Sequence, residues 1–399
     1  MTLQSKRAIW IVLDGVGLEA LPDAREYADE DAATLPHVAA ACGGLNLPNM
    51  RNLGLGCLAE IAGVQPVSEP AGIYGRLAEK SSGKDSIIGH WELAGVLVDK
   101  PFATYPHGFP FELVRRFAEI AGAQPLGNIS AGGLSILKEY GAEHVRTGRP
   151  ILYTSVDSVF QVAAHEDVLA PEKLYDLCRA AKSLTDEYDI ARVIARPFVG
   201  DLQSGFRRTA GRKDFPVQPP QRTLLEGLIA KGYTVTAVGK INDLFAGRGI
   251  SASVATVDNH DGMEKVIAGL ATQDTGLLMA NLIDFDMVYG HRKDAVGFGR
   301  ALEEFDAWLP QLFKAMRTED LLVICADHGC DPTTPGSDHT REYVPVVLWS
   351  KAMQRGRALG DRQSFADVAA TLADFFLVPK TLAGESFERL LGLTRVVNP

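Results

Sequence analysis

The stretch LLVICADHGCDPTTPGSDHTRE, Leu321 to Glu342, decides how the chain is read. Leu321 to Ala326 are apolar without interruption, the pattern of a strand buried on both faces of a sheet, and Asp327 and His328 follow at its tip. Eleven residues after Asp327 stands Asp338, the start of a second Asp-His pair with His339. Gly329, Pro332, Pro335 and Gly336 lie between the pairs, exclude a helix, and predict an ordered loop that folds the second pair back towards the first. Carboxylate and imidazole side chains where a strand meets a loop are what a divalent metal needs. The plainer alternative is a polar loop that caps a strand.

Two more apolar runs end the same way. Ala8 to Leu13 runs into Asp14, and a strand near Leu277 to Ile283 runs into Asp284 and Asp286, with His291 five residues past Asp286. In an open α/β sheet the C-terminal ends of the strands share one edge, so distant positions converge there. Asp14, Asp286, His291, Asp327, His328 and His339 are six candidate ligands, enough for two metals with positions left for substrate. Four of the nine histidines, counting His90, fall in these motifs. Carboxylates gathered on one rim repel one another and need cations to coexist ionised. The GVGLEA that follows Asp14 matches a dinucleotide fingerprint through Gly15, Gly17 and Ala20. Three features count against that reading: Asp14 would face the pyrophosphate, Pro22 would fall inside the required helix, and no carboxylate closes a compact βαβ unit.

The other informative segment is SSGKDSIIGHWELAG, Ser81 to Gly95. Its GKDS resembles the end of a phosphate-binding loop, but Asp85 stands where that motif needs Ser or Thr, and Ala78 replaces its first Gly. What remains is a hydroxyl, Ser86, beside Lys84 and Asp85. Ser86 either caps a helix or serves as a nucleophile. Two metals beside a hydroxyl point to phosphoryl transfer, and the mixture of carboxylates and imidazoles suits Mn²⁺ ahead of Zn²⁺ and Mg²⁺.

A length of 399 residues predicts two domains, and 46% hydrophobic with 23% charged residues is a globular composition. A formal charge of −10 argues against a nucleic-acid surface while leaving room for a local phosphate site. Cys42, Cys57, Cys178, Cys325 and Cys330 lack CxxC spacing and read as reduced thiols of a cytoplasmic protein. Lys6 and Arg7 precede an apolar run too short for a secretory signal, and no stretch is long enough for a membrane span. Residues 100–220 read as an inserted α/β domain between core segments 1–99 and 221–399. The insert has strands at Pro150 to Ser155 and Ala191 to Phe198, helical periodicity near Leu174 to Leu184, and Arg196, Arg207, Arg208 and Arg212 as candidate phosphate contacts. Further on, Tyr233 to Lys240 is a strand ending in a basic residue, Ala295 to Met316 is an amphipathic helix, and Ser364 with Asp367 predicts a capping box for a helix over Phe365 to Phe376.

Taken together, IVLDGVGLEALPDA, LPNMRNLGLG, GKDSIIGHWELAG, ILYTSVDSVFQVAAHE, ARVIARPFVG, NLIDFDMVYGHRKD and ADHGCDPTTPGSDHTRE resemble the phosphopentomutase family of the alkaline phosphatase superfamily, over nearly the whole chain. The resemblance implies an α/β fold: an alkaline-phosphatase-like core with a central, mostly parallel sheet flanked by helices, and a smaller inserted α/β cap domain acting as a lid. It implies two Mn²⁺ ions, one held by Asp286, His291 and His339, the other by Asp14, Asp327 and His328 with the nucleophile Ser86. Ser155 and Asp157 match residues that contact the pentose, and Arg196 and Lys240 match basic positions near its phosphate. The implied reaction interconverts ribose 1-phosphate and ribose 5-phosphate, or their deoxy forms, after priming by a sugar 1,6-bisphosphate or 1,5-bisphosphate. The chain departs from the family in Ser86 for the usual Thr, Ile88 for a second Thr, and Lys213 for a His. These departures bear on substrate preference more than on reaction class and leave room for a metal-dependent phosphatase or a mutase acting on another sugar phosphate.

Overall fold

Continuous apolar runs become central strands in the computed structural model, which describes residues 6–155, 158–379 and 383–392. In chain order the first elements are β1 Arg7–Leu13, β2 Glu19–Ala20, α1 Thr34–Ala41, α2 Pro48–Leu53, β3 Ile73–Leu77 and α3 Ser86–Leu93. Next come α4 Phe111–Ala121, β4 Leu126–Ser130, α5 Gly133–Thr147, β5 Ile151–Thr154, β6 Val159–His165, α6 Pro171–Asp186, β7 Arg192–Val199, β8 Arg207–Arg208 and β9 Lys213–Pro216. The remainder is α7 Leu224–Ala230, β10 Val235–Val238, α8 Ile241–Leu244, β11 Ala252–Val254, α9 Asn259–Thr272, β12 Gly276–Leu282, a π-helical turn Phe285–Gly290, α10 Ala295–Ala315, β13 Leu321–Cys325, β14 Glu342–Trp349, β15 Arg357–Arg362 and α11 Ala366–Phe376. The chain divides into two units, Met1–Lys100 with Pro219–Pro399, and Pro101–Gln218.

The first unit is built on a nine-stranded sheet in the order β11-β10-β12-β1-β13-β14-β3-β15, with β2 paired to β14. The pairs from β11 through β13 are parallel, and β14 reverses direction against both β13 and β3. This is the mixed, mostly parallel α/β core expected. β1, β12 and β13 are buried throughout, which explains their unbroken apolar composition. Register aligns their ends: Leu13 pairs with Leu282, and Val12 with Cys325. Asp14, the π-helical turn and Asp327 therefore emerge at one rim. At the opposite end of β1, the buried Arg7 guanidinium forks onto Asp320 at 2.6 and 3.1 Å and donates to the carbonyls of Leu270 and Gln273, each at 2.7 Å.

The second unit carries a sheet in the order β4-β5-β6-β7-β8, with β9 also on β7. Its strands alternate between two cores: Leu152, Phe160 and Val162 join α4 and α6 residues such as Phe117 and Leu174, while Ile151, Tyr153 and Ala163 join Ile136 and Leu137 of α5.

The helix start expected from Ser364 and Asp367 forms without a capping box. Ser364 donates its hydroxyl to Glu92 Oε1 at 2.7 Å, and Asp367 accepts from Arg362 Nε at 2.6 Å and from the Glu385 N–H at 2.7 Å. Partners from other parts of the chain have taken the groups that the reciprocal cap needs. Among the described residues no helix is long and apolar enough to cross a membrane.

Candidate metal centre

Asp14 and Asp327, both fully buried, stand side by side because β1 and β13 are neighbours. Asp14 Oδ2 accepts from Asn281 Nδ2 at 2.8 Å, and Asp327 Oδ1 accepts from the Gly15 N–H at 3.2 Å. Their other oxygens, Asp14 Oδ1 and Asp327 Oδ2, have no hydrogen-bond partner among the described residues. Each lies 3.3 Å from His328 Nε2.

Asp286 and His291 are brought together by the π-helical turn. The His291 N–H bonds the Asp286 carbonyl at 3.0 Å, an i→i+5 closure that carries one more residue per turn than an α-helix and lays His291 over Asp286. The bridge between Gly329 and Thr340 folds the loop back, as its prolines and glycines predict, and delivers His339 to the same place. Asp286 Oδ1 lies 3.2 Å from His339 Nε2 and 3.3 Å from His291 Nε2, and the two imidazole nitrogens are 3.2 Å apart. Among the described residues, Asp286 Oδ1 is likewise a buried carboxylate oxygen without a hydrogen-bond partner. Asp284 points elsewhere and exchanges hydrogen bonds with Asn259 at 2.8 and 2.9 Å.

These spacings fit a metal. Ligand atoms at about 2.0–2.2 Å from a divalent ion stand about 3.1–3.6 Å apart around it. All three histidines also turn the same nitrogen outward. His328 Nδ1 pairs with the Gly329 carbonyl at 3.0 Å, His339 Nδ1 with the Lys84 carbonyl at 2.8 Å, and His291 Nδ1 with the Ser337 carbonyl at 2.6 Å. A carbonyl only accepts, so each Nδ1 carries the hydrogen and each Nε2 keeps its lone pair for an ion. The rings of His328 and His339 stack at 3.8 Å, which disfavours charging both.

Electrostatics give the same picture. Burial works against charge on Asp286, but His339, His328 and His291 outweigh it and hold the carboxyl well below the usual range. Asp327 is buried too, and His328 with His90 brings its carboxyl below the ordinary value. Burial disfavours a proton on His328, yet Asp327, Asp14 and Asp286 push its pKa well above normal. Without cations, the carboxylates are balanced by protons on histidine, and a divalent ion takes over that balance.

Ser86 completes the group. Asp85 takes the N-cap of α3, accepting from Ile87 and Ile88 at 2.9 and 3.1 Å, so Ser86 is the first helical residue and its hydroxyl is free of capping. Ser86 Oγ lies 3.0 Å from His328 Nε2. The helix can come this close because residue 89 is glycine: a Cβ there would stand 2.2 Å from the Asp327 carbonyl oxygen.

Six candidate ligands and Ser86 are thus assembled in one place. Lys240 follows β10 on the same rim and is half-buried. Ser155, Arg196 and Arg208 belong to the second unit. Arg196 Nε donates to Gln161 at 3.0 Å, and Arg208 Nη2 reaches the Tyr153 hydroxyl at 3.0 Å. Burial and the neighbouring Arg212 and Arg208 bring the Arg196 guanidinium down to about 10, as expected where cations crowd one another. Asp157 lies outside the described residues.

Several supporting residues have roles that were not assigned from the sequence, His90 having only been counted among the motif histidines. His90 directs Nδ1 to the Ser86 carbonyl at 2.8 Å and also lies 3.0 Å from Asp327 Oδ2. Asn281 orients Asp14, and Cys330 stands with Asp286 and His291 in a further group able to hold a metal. The available signal was in GHWE, where His90 and Glu92 lie among Ile87, Ile88, Trp91 and Leu93 in a helix that is buried along its whole length.

Comparison with known proteins agrees with the site. Residues 6–380 match the family model of the Metalloenzyme superfamily. The chain is 56% identical to a phosphopentomutase of Syntrophotalea carbinolica, over 98% of this chain and 100% of that one. It is 52% identical to a phosphopentomutase of Symbiobacterium thermophilum, over 96% of this chain and 98% of the relative. For a phosphopentomutase of Acetivibrio thermocellus the identity is 50%, again over 96% and 98%. With a buried set of carboxylate and imidazole ligands at its centre, the chain is a metal-dependent enzyme that belongs to the phosphopentomutase family.

Proposed function

We propose that the enzyme interconverts ribose 1-phosphate and ribose 5-phosphate, or the deoxyribose pair, through phospho-Ser86 and a pentose 1,5-bisphosphate. Asp14, Asp327 and His328 would hold one ion and Asp286, His291 and His339 the other, with Mn²⁺ preferred to Zn²⁺ or Mg²⁺ for this ligand mixture. Such ions supply charge neutralisation for the moving phosphoryl group and acidify a hydroxyl held beside them. The chain supplies the rest. Phospho-Ser86 gives its phosphoryl group to the free hydroxyl of the bound sugar phosphate: the bond from Ser86 Oγ to phosphorus breaks, a bond from the sugar oxygen forms, and the hydroxyl proton ends on Ser86 Oγ. The bisphosphate then turns and returns its other phosphate by the reverse exchange.

We assign the pentose to Ser155 and Asp157, and its phosphate to Arg196, Arg208 and Lys240, on the family likeness alone. A sugar 1,6-bisphosphate or 1,5-bisphosphate would prime Ser86. The partner is then a small-molecule pentose phosphate, with no nucleic acid or membrane involved. Five free cysteines support a cytoplasmic location, and the oligomeric state stays open, a monomer included.

The observation that carries this reading is Ser86 Oγ at 3.0 Å from His328 Nε2, beside the unpartnered oxygens of Asp14 and Asp327. It is tested by supplying Mn²⁺, a catalytic amount of glucose 1,6-bisphosphate and ribose 5-phosphate, and following ribose 1-phosphate and free phosphate in one tube. The isomer with little free phosphate is the expected result. Free phosphate without isomer would instead mark a phosphatase. Fully buried Ile88, which puts no hydroxyl in the first turn of α3, is the feature that favours that second reading.

A further inference from the structure

The segment Glu79–Lys84, which leads into Ser86, is held by its peptide groups. Glu92, in the same helix as Ser86, accepts from the Lys80 N–H at 2.9 and 3.1 Å and from the Ser81 N–H at 2.6 Å. Arg341 takes the opposite pole of the Glu79–Lys80 peptide and the carbonyls of two peptides further along. Its Nη1 donates to the carbonyls of Ser81 at 2.9 Å and Gly83 at 2.6 Å, and its Nη2 to the carbonyl of Glu79 at 2.9 Å. The guanidinium also pairs with Glu79 Oε2 at 2.8 Å and Asp23 Oδ2 at 2.9 Å. Glu92 and Arg341 are 0% and 3% exposed, so neither grip is shared with solvent.

Where this clamp is rooted matters. Glu92 shares a rigid helix with Ser86, whose Oγ meets His328; Arg341 lies two residues beyond His339. Within the clamped segment, the Lys84 carbonyl accepts from His339 Nδ1 at 2.8 Å. The loop is therefore the mechanical link between the nucleophile and a metal ligand. We propose that Glu92 and Arg341 are positioning residues that hold Glu79–Lys84 by its peptide dipoles and so fix together the place of Ser86 and the orientation of His339. The catalytic half of this inference rests on Ser86 being the nucleophile. Lysine cannot replace Arg341, because an ammonium is a point donor and cannot span three carbonyls and two carboxylates as a planar fork does.

The test compares the parent enzyme with Arg341→Lys, Arg341→Met and the isosteric Glu92→Gln, each checked for folding by circular dichroism. Three quantities are read: phosphate on Ser86 by intact mass after glucose 1,6-bisphosphate, kcat and KM for ribose 5-phosphate, and Mn²⁺ affinity by electron paramagnetic resonance. Misplacement of the reacting group predicts a kcat about 100-fold lower with KM nearly unchanged. Loss of the carbonyl that orients His339 predicts Mn²⁺ binding about 10-fold weaker, and Arg341→Lys should rescue neither. A folded Arg341→Lys or Glu92→Gln protein with parental kcat, phosphoserine and Mn²⁺ affinity, changed only in melting temperature, overturns the clamp. If the Arg341 variants do not fold, Glu92→Gln decides alone. Absence of phosphate from Ser86 in the parent overturns the nucleophile assignment and the catalytic half of the clamp; the Mn²⁺ measurement then decides the half that acts on His339.

Discussion

Asp85 and Ser86 divide two tasks that either could have performed. Both residue types cap helices well, so the sequence left open whether the Ser86 hydroxyl was structural. In the fold Asp85 spends its carboxylate on the N–H groups of Ile87 and Ile88, and the hydroxyl one residue on is left to meet His328. Ser86→Ala should therefore remove phosphoenzyme and lower mutase activity about a thousand-fold or more, with melting temperature nearly unchanged. Ser86→Thr, which keeps the oxygen, should stay active. Phosphoserine mass and turnover measured on both variants check this, and an active Ser86→Ala enzyme would sink the assignment. The ligands were easier to read. Any one of those carboxylates or histidines could have been a polar cap, but three apolar runs leading to such residues marked one rim together, whereas His90, Asn281 and Arg341 act through backbone and carboxylate groups that only the folded chain brings near them.

Among the elements, parallel strands were legible because burial on both faces makes them continuously apolar, and their common direction then placed Asp14, Asp286 and Asp327 on one rim. The π-helical turn was not legible, since nothing in DFDMVYGHR distinguishes it from an α-turn. It is nevertheless what sets His291 over Asp286. Deleting the half-exposed Met287 should convert the turn to an ordinary one, rotate His291 away and weaken Mn²⁺ binding by about 10-fold or more while circular dichroism stays native. Retained affinity would show that the extra residue is incidental. The capping box failed for a related reason: Ser364 and Asp367 had the right spacing, but Glu92 and the Glu385 N–H, brought in by the fold, and the nearby Arg362 offered other partners. At the other end of β1, Asp320→Ala would leave the Arg7 guanidinium buried and unpaired, at a cost of about 3–5 kcal/mol in urea unfolding. Seven residues of strand, about 23 Å, separate that pair from the rim, so Mn²⁺ affinity should not change.

For the molecule as a whole, metal and proton compete for the same groups. In the ion-free protein His328 and His339 have raised pKa values, despite burial, because of Asp327 and Asp14 around the first and Asp286 beside the second. Their stabilisation is fully present below the ordinary histidine value and is lost as pH rises through the raised ones. Asp286 and Asp327, held low, contribute above the unfolded carboxylate value and fail only in acid. A cation must displace the histidine protons, so the gain in melting temperature from Mn²⁺ over EDTA should widen between about pH 6 and pH 9. Scanning fluorimetry across that range checks it, and a constant gap would contradict it.

The place of β1 at the middle of its sheet has a consequence for the newborn chain. Its finished neighbours are β12 and β13, while Pro101–Gln218 is made in between. At about 5–20 residues per second, the ribosome takes on the order of 15–50 s to travel from Leu13 to Gly276. Through that interval the most apolar strand of the N-terminal segment has neither partner, so a stalled or prematurely ended translation product presents chaperones and proteases with an adhesive segment that the complete enzyme never exposes.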